Sequence, residues 1–71
     1  MTDLKAGKRM SVTLIPRANT ELDWLAGRTQ LSQVDVINRA LQIMGYIERE
    51  CADGGELLIR KDGEVMKVHI I

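Results

Sequence analysis

A single amphipathic strand near the N-terminus constrains this chain more than any other feature. Residues 9–14 read Arg-Met-Ser-Val-Thr-Leu and alternate strictly between polar and apolar, which is typical of a half-buried β-strand. We therefore predict a strand over residues 8–15, with Arg9, Ser11 and Thr13 on one face and Met10, Val12 and Leu14 on the other. Pro16 ends it because proline cannot continue a ladder. Two helical patterns follow, so this strand has no neighbour within its own part of the chain.

The small size of the chain makes a partner subunit the expected source of stability. With 71 residues it forms one domain whose core contributes little net stability. Cys51 and His69 are its only Cys and His, too few for an intrachain disulfide or a four-ligand zinc site. We therefore predict no metal and no cofactor. The sequence contains neither a membrane-length apolar run nor a signal peptide, and a lone Cys suits a reducing compartment, so a cytoplasmic location is expected.

Two amphipathic helices are predicted after the strand. Pro16 suits the first helical position, which predicts helix A over residues 16–28, although Thr20 with Asp23 offers a later start. Ser32 predicts the start of helix B, over residues 32–51, because its hydroxyl can accept from the amide three residues on. Apolar residues recur at helical spacing in both helices: Ala18, Leu22, Leu25 and Ala26 in helix A, and Val36, Ile37, Ala40, Leu41, Met44 and Ile47 in helix B.

A β-hairpin is predicted at the C-terminal end, within residues 53–71. Gly54-Gly55 ends the helical pattern, and Asp62-Gly63 suits a type I′ turn between strands 56–61 and 64–70. This register places Ile59 opposite Met66 on an apolar face, and Glu56 opposite His69 on a more polar face as a surface pair. The predicted fold class is therefore α+β, mainly α.

Charge is distributed unevenly although the chain is neutral overall. Four basic residues and one acidic residue lie in the first 17 positions, against six basic and nine acidic residues in the rest. We predict that residues 1–7 form a flexible basic arm, and that Lys5, Lys8 and Arg17 contact a polyanion.

A lone strand with one apolar face is completed most simply by the same strand of a second copy. A two-fold antiparallel ribbon would turn Arg9, Ser11 and Thr13 of both chains outward. Such a ribbon fits the major groove of B-DNA, where Arg, Ser and Thr can hydrogen-bond to base edges. The predicted dimer core comprises Met10, Val12, Leu14, Leu22, Leu25, Val36, Ile37, Ala40, Leu41 and Met44.

Residues 9–41 resemble the ribbon-helix-helix DNA-binding proteins of the Arc, MetJ and CopG type, most closely the CopG branch. The resemblance lies in this strand, in the spacing from Leu14 to Ser32 and in the series Ile37, Ala40 and Leu41. The resemblance implies a ribbon-helix-helix homodimer, with pairs of dimers on repeated half-sites. It also implies base contacts from Arg9, Ser11 and Thr13, and a DNA phosphate on the backbone amides of Ser32, Gln33 and Val34. The sequence departs from the family pattern at Gln30, where many members have Gly, and at Asn19 and Ile15-Pro16. The hairpin lies outside the family motif.

The expected function is sequence-specific binding of double-stranded DNA, most simply as a transcriptional repressor. The alternative is a protein-interaction module, or an antitoxin-like regulator, that binds a partner protein through the hairpin. An enzyme is not expected, since the sequence lacks a P-loop, G-x-G-x-x-G and G-x-S-x-G. Trp24 is expected to pack under the hairpin or to stack with the Arg28 guanidinium.

Overall fold

Two helices and a β-hairpin follow one another along the chain in the computed structural model, which describes residues 7–69. Helix α1 spans Pro16–Thr29 and helix α2 spans Gln33–Ala52. Strands β1 (Leu58–Lys61) and β2 (Glu64–Lys67) form a two-stranded antiparallel sheet. The fold is thus mixed α+β and mainly helical, as predicted. None of the helices within residues 7–69 is long and apolar enough to cross a membrane.

The predicted strand over residues 8–15 is wrong for the single chain. Residues 7–15 carry no regular secondary structure, and both strands of residues 7–69 belong to the hairpin. The chain order is therefore helix, helix, hairpin rather than strand, helix, helix, hairpin. The physical reason is that a β-strand is defined by hydrogen bonds to a neighbour, and the described part of the chain places no neighbouring strand beside residues 8–15.

Helix α1 begins at Pro16, the earlier of the two predicted starts. Ile15, at its N-cap, makes no side-chain capping hydrogen bond, and the Thr20 hydroxyl donates to the carbonyl of Pro16 (3.1 Å) instead of starting the helix. At the other end Gln30 adopts the left-handed conformation (φ 61°), and its amide donates to Ala26 O at 2.9 Å. This is the αL termination that usually employs glycine. It reverses the chain so that α2 can pack against α1.

Helix α2 begins as predicted, with Ser32 as its N-cap. The Ser32 hydroxyl accepts from the amide of Asp35 at 3.1 Å. The helix ends in a Schellman motif, in which Gly54 has φ 92° and donates to Cys51 O (3.1 Å), while the Gly55 amide donates to Glu50 O at 2.9 Å. Glycine at the first of these positions adopts the positive φ without steric cost.

The hairpin has the predicted turn and register. Asp62 and Gly63 both have positive φ, as a type I′ turn requires, and Ile59 lies opposite Met66. Both strands are shorter than predicted, although Val68 N still donates to Leu57 O (2.8 Å) beyond them. Glu56 pairs with Lys67 (3.0 Å), so the predicted pair with His69 is wrong. Lys67 reaches Glu56 diagonally across the strands.

The core of the single chain is very small. Helix α1 packs on α2, and within residues 7–69 the buried apolar side chains are Leu22 and Val36, at 8% and 6% exposure. Leu25 and Ala26 are half-buried. No helix packs substantially on the hairpin strands in the described part of the chain. Such a core is below what an independent domain needs, so most of the apolar surface is left uncovered.

Candidate nucleic-acid interface

The N-terminal segment, residues 7–15, carries the predicted base-reading residues on an open surface. Arg9, Ser11 and Thr13 are all exposed, and within residues 7–69 their side chains make no hydrogen bond or ion pair. Ile15, where the segment joins α1, has extended backbone angles (φ −69°, ψ 156°). An extended backbone at this point lets the segment enter a strand if it meets a partner.

The apolar residues of the same segment are equally uncovered. Met10 is 65% exposed and Val12 is 63% exposed, whereas Leu14 is half-buried. Met10 and Val12, which alternate with polar residues, have no packing role within the single chain. They are the feature that a symmetric ribbon would cover.

The start of α2 leaves two backbone amides available to an acceptor. The Asp35 amide donates to the Ser32 hydroxyl and the Val36 amide donates to the Ser32 carbonyl (3.0 Å). The amides of Gln33 and Val34 come before Val36, the first residue whose amide donates within the helix, so they have no intrahelical acceptor, and both residues are exposed. The Asp35 carboxylate lies in the same first turn, where it interacts favourably with the helix dipole and opposes an approaching phosphate.

The cations predicted to contact phosphate are placed only in part. Lys8 and Arg17 are exposed and flank the base-reading positions along the chain. Lys5 lies outside the described residues, as does most of the predicted basic arm. Within residues 7–69 neither Lys8 nor Arg17 is engaged in a salt bridge, so both charges are free to meet a polyanion.

An apolar groove lies between the two helices. It encloses about 480 Å³, and α2 contributes Val36, Ala40, Ile43, Met44 and Ile47 to its walls. Leu25 and Leu31 line it from the other side. Ile37 and Leu41, two further predicted core residues, lie outside this groove and are exposed. The apolar surface of α2 is therefore wider than α1 can cover.

Trp24 lies on the outer side of α1, away from α2. It is exposed, and the Arg28 guanidinium carbon stands 5.8 Å from the centre of its ring. Of the two predicted environments, stacking with Arg28 is therefore confirmed. Packing under the hairpin is wrong, because Trp24 is two residues from buried Leu22 and so projects from the opposite side of the helix.

No second type of site emerges from residues 7–69. No group of three or more His, Cys, Asp and Glu residues is placed to hold a metal within this part of the chain. Cys51 is an exposed free thiol. It lines an open groove of about 400 Å³ at the base of the hairpin, together with Ile47, Val68 and His69. Sequence reasoning missed this groove because it depends on the angle at which the hairpin leaves α2.

No family model, curated protein or solved structure matches this chain.

Proposed function

We propose that this protein is a homodimeric, sequence-specific DNA-binding protein of the ribbon-helix-helix kind, which acts as a transcriptional repressor by occupying operator DNA. The single observation that carries the proposal is the uncovered, alternating segment 9–14. Its polar and apolar residues are sorted onto opposite faces by position, and residues 7–69 of its own chain form no strand ladder with it.

Segment 9–14 can pair with the same segment of a second chain. Antiparallel pairing about a two-fold axis at Val12 places Met10 opposite Leu14 on one face. The same pairing places Ser11 opposite Thr13 on the other face. The apolar face would cover Met10 and Val12, which are exposed in the single chain.

The excess apolar surface of α2 also favours a dimer. Ile37 and Leu41 continue the apolar surface beyond the groove between the helices. Each large aliphatic side chain gains about 1.5 to 3 kcal/mol when it is fully buried. A second copy, with its own ribbon face and its own α2, offers apolar surface of the kind that this region needs.

The mechanism is binding in the major groove. The ribbon presents Arg9, Ser11 and Thr13 of both chains to base edges, where Arg can donate two hydrogen bonds to guanine and the hydroxyls can bond to several bases. Lys5, Lys8 and Arg17 contact backbone phosphates. The backbone amides of Ser32, Gln33 and Val34 hold one phosphate on each side of the ribbon and fix its register. Repression follows from occupancy, without a catalytic step.

The proposal is tested by fluorescence anisotropy on DNA from the region upstream of the coding sequence and on a scrambled duplex, across a salt series. We expect Arg9→Ala to weaken binding to the selected sequence by about 1 to 3 kcal/mol and to relax specificity. Lys5→Ala is the matched control. It should weaken binding to both duplexes alike and reduce the salt slope, because it removes only a phosphate contact. Equal loss on both duplexes for Arg9→Ala would remove Arg9 as a base reader.

A second candidate function is a protein-interaction module or antitoxin-like regulator that captures a partner through the hairpin. The observation in its favour is that the strands stand apart from the helices, with Leu58, Ile59, Val65 and Met66 all exposed. Deletion of residues 54–71 separates the two functions. Under the first proposal the shortened protein retains selective DNA binding, whereas a protein that works only through the hairpin loses its function.

A further inference from the structure

The hairpin is held at a defined angle to α2 and projects beyond the end of the helix. A Cβ atom on Gly55 would lie 2.8 Å from Glu50 O, so this close approach requires glycine and fixes the path of the chain. At the base of the hairpin Leu57 and Val68 are half-buried and line the groove beside α2. Farther out Ile59 and Met66 are 47% and 51% exposed. The outer half is therefore an uncovered two-stranded sheet, which is marginal by itself.

The hydrogen-bond pattern identifies which backbone groups point away from the sheet. Val68 N donates to Leu57 O, so this pair is hydrogen-bonded. Because bonded and non-bonded pairs alternate in an antiparallel ladder, Ile59–Met66 and Lys61–Glu64 are bonded as well. The amides and carbonyls of Val65 and Lys67 on β2, and of Leu58 and Arg60 on β1, therefore face outward. Each edge offers donors and acceptors to a further strand.

The two edges differ in charge. Strand β1 carries Arg60 and Lys61 and no acidic residue, whereas β2 carries one acidic residue, Glu64, and one basic residue, Lys67. Two copies of β1 side by side would gather four positive charges, which opposes pairing. Two copies of β2 bring no excess charge. The β1 edge is protected in the way that natural edge strands are, and the β2 edge is not.

We propose that the outer edge of β2 pairs antiparallel with the β2 edge of a second copy, about a two-fold axis at Met66. Val65 then lies opposite Lys67 of the second copy, and the two residues exchange both backbone hydrogen bonds. Met66 lies opposite Met66 of the second copy in the closely spaced, non-bonded position. The result is a four-stranded sheet whose apolar face combines Leu57, Ile59, Met66 and Val68 of both copies.

Other registers are less favourable. A shift of the axis by one residue to Lys67 would place two lysines directly opposite each other. A shift to Val65 would set Glu64 against Met66 and would pair Lys67 with Gly63, which belongs to the turn. Of the three registers, only the one with its axis at Met66 pairs both outward-facing residues of β2, Val65 and Lys67, with each other's copies inside the strand.

This interface goes beyond the proposed function and does not depend on it. It uses the C-terminal edge, whereas the ribbon uses residues 9–14. If the ribbon dimer also forms, the β2 edge links one dimer to the next. The two interfaces are separable, since Val12→Lys would disrupt the ribbon and leave the hairpin intact.

The test is the mass of the full chain as a function of concentration, measured by sedimentation velocity. Val65→Lys places a lysine opposite Lys67 of the second copy. It should weaken this association by about tenfold or more and halve the mass at concentrations where the wild-type pairing is populated. The double variant Val65→Lys/Lys67→Glu restores an attractive pair across the axis and should restore the wild-type mass. A hairpin that had merely been destabilised would gain nothing from the second change.

A matched pair of prolines provides an independent measurement. Val65→Pro removes an outward amide from β2 without removing a bond of the hairpin, and Arg60→Pro does the same on β1. Only Val65→Pro should lower the mass. Slow hydrogen exchange at the Val68 amide in both variants verifies that the hairpin remains folded.

Several results would overturn the proposal. Equal effects of Val65→Pro and Arg60→Pro would contradict it, as would failure of the charge swap to restore the mass. If none of the variants changes the mass, the β2 edge does not pair with a second copy, and a strand from another protein becomes the candidate partner. The proposed function fails separately. If the wild-type protein shows no DNA selectivity but its mass still depends on Val65, the DNA-binding proposal is wrong and the β2 interface is retained.

Discussion

At the residue scale, Gln30 is a non-glycine residue at a position whose backbone conformation favours glycine. It adopts a left-handed conformation (φ 61°), which costs a residue with a Cβ about 1 to 2 kcal/mol. Its side-chain amide donates to Gly27 O at 2.7 Å, which recovers part of that cost. The turn between the helices is therefore formed with Gln rather than Gly at position 30.

Replacement of this residue tests that balance. We expect Gln30→Gly to raise the free energy of unfolding by roughly 0.5 to 1 kcal/mol, because relief of the left-handed strain exceeds the loss of the side-chain hydrogen bond and the gain in unfolded-state entropy. Gln30→Ala is the control. It loses the hydrogen bond and retains the strain, so it should be less stable than wild type. Urea denaturation measures the free energy of unfolding of both variants. A less stable Gln30→Gly would mean that the side chain is the dominant contribution.

At the element scale, the N-terminus of α2 combines a structural role with the proposed contact to phosphate. Ser32 caps the helix through the Asp35 amide, and Gln33 is the first helical residue. These two roles are separable, because the amide that caps the helix and the amide available to a ligand belong to different residues.

Gln33→Pro removes the ligand-facing amide alone. Proline is favoured at the first helical position, so the stability of the helix should change little. Binding should fall by about 1.5 to 3 kcal/mol, the contribution of a hydrogen bond to a charged group, and equally on specific and scrambled DNA. Anisotropy gives the binding loss and circular dichroism gives the helix content. Unaltered DNA binding would exclude this amide from the interface.

At the scale of the whole molecule, the small core is the reason to propose association. Two buried apolar side chains among the described residues form a core of the size that usually needs a further source of stability. The apolar surface lies in two separate places, around the helices with segment 9–14 and on the hairpin. We therefore infer that two interfaces, rather than one, complete the fold.

The first interface is tested by Leu41→Lys in the Val65→Lys background, where the hairpin edge is already blocked. Leu41 is exposed in the single chain, so a monomer would tolerate the change within about 0.5 kcal/mol. If a dimer buries Leu41, the substitution should lower its free energy of unfolding by about 1 to 3 kcal/mol. With Leu41 unchanged, the melting temperature of the Val65→Lys protein should rise with protein concentration. Gln42→Lys is the matched control on the polar side of the helix. A melting temperature that is independent of concentration would contradict the dimer.

Local sequence patterns predicted those parts of the fold that depend on neighbouring residues. Ser32 placed the start of α2 because a cap needs only its own helix. Asp62-Gly63 determined the register of the hairpin because a two-residue turn leaves one way to pair the strands. The alternation over residues 8–15 is not accompanied by a strand in the single chain, since alternation describes which side chains share a face and supplies no hydrogen-bonded neighbour.

By itself the sequence determined where the helices and the hairpin lie and which side chains form their apolar faces, since these follow from spacing, capping and turn chemistry. Only the tertiary structure decided which parts of those faces are covered within the chain and which remain exposed. It left segment 7–15 without a ladder, turned Trp24 outward against Arg28, paired Glu56 with Lys67 and held the hairpin apart from the helices. The physical reason is that packing and strand pairing depend on groups far apart in the chain or in another chain, whereas spacing and capping are complete within a few residues.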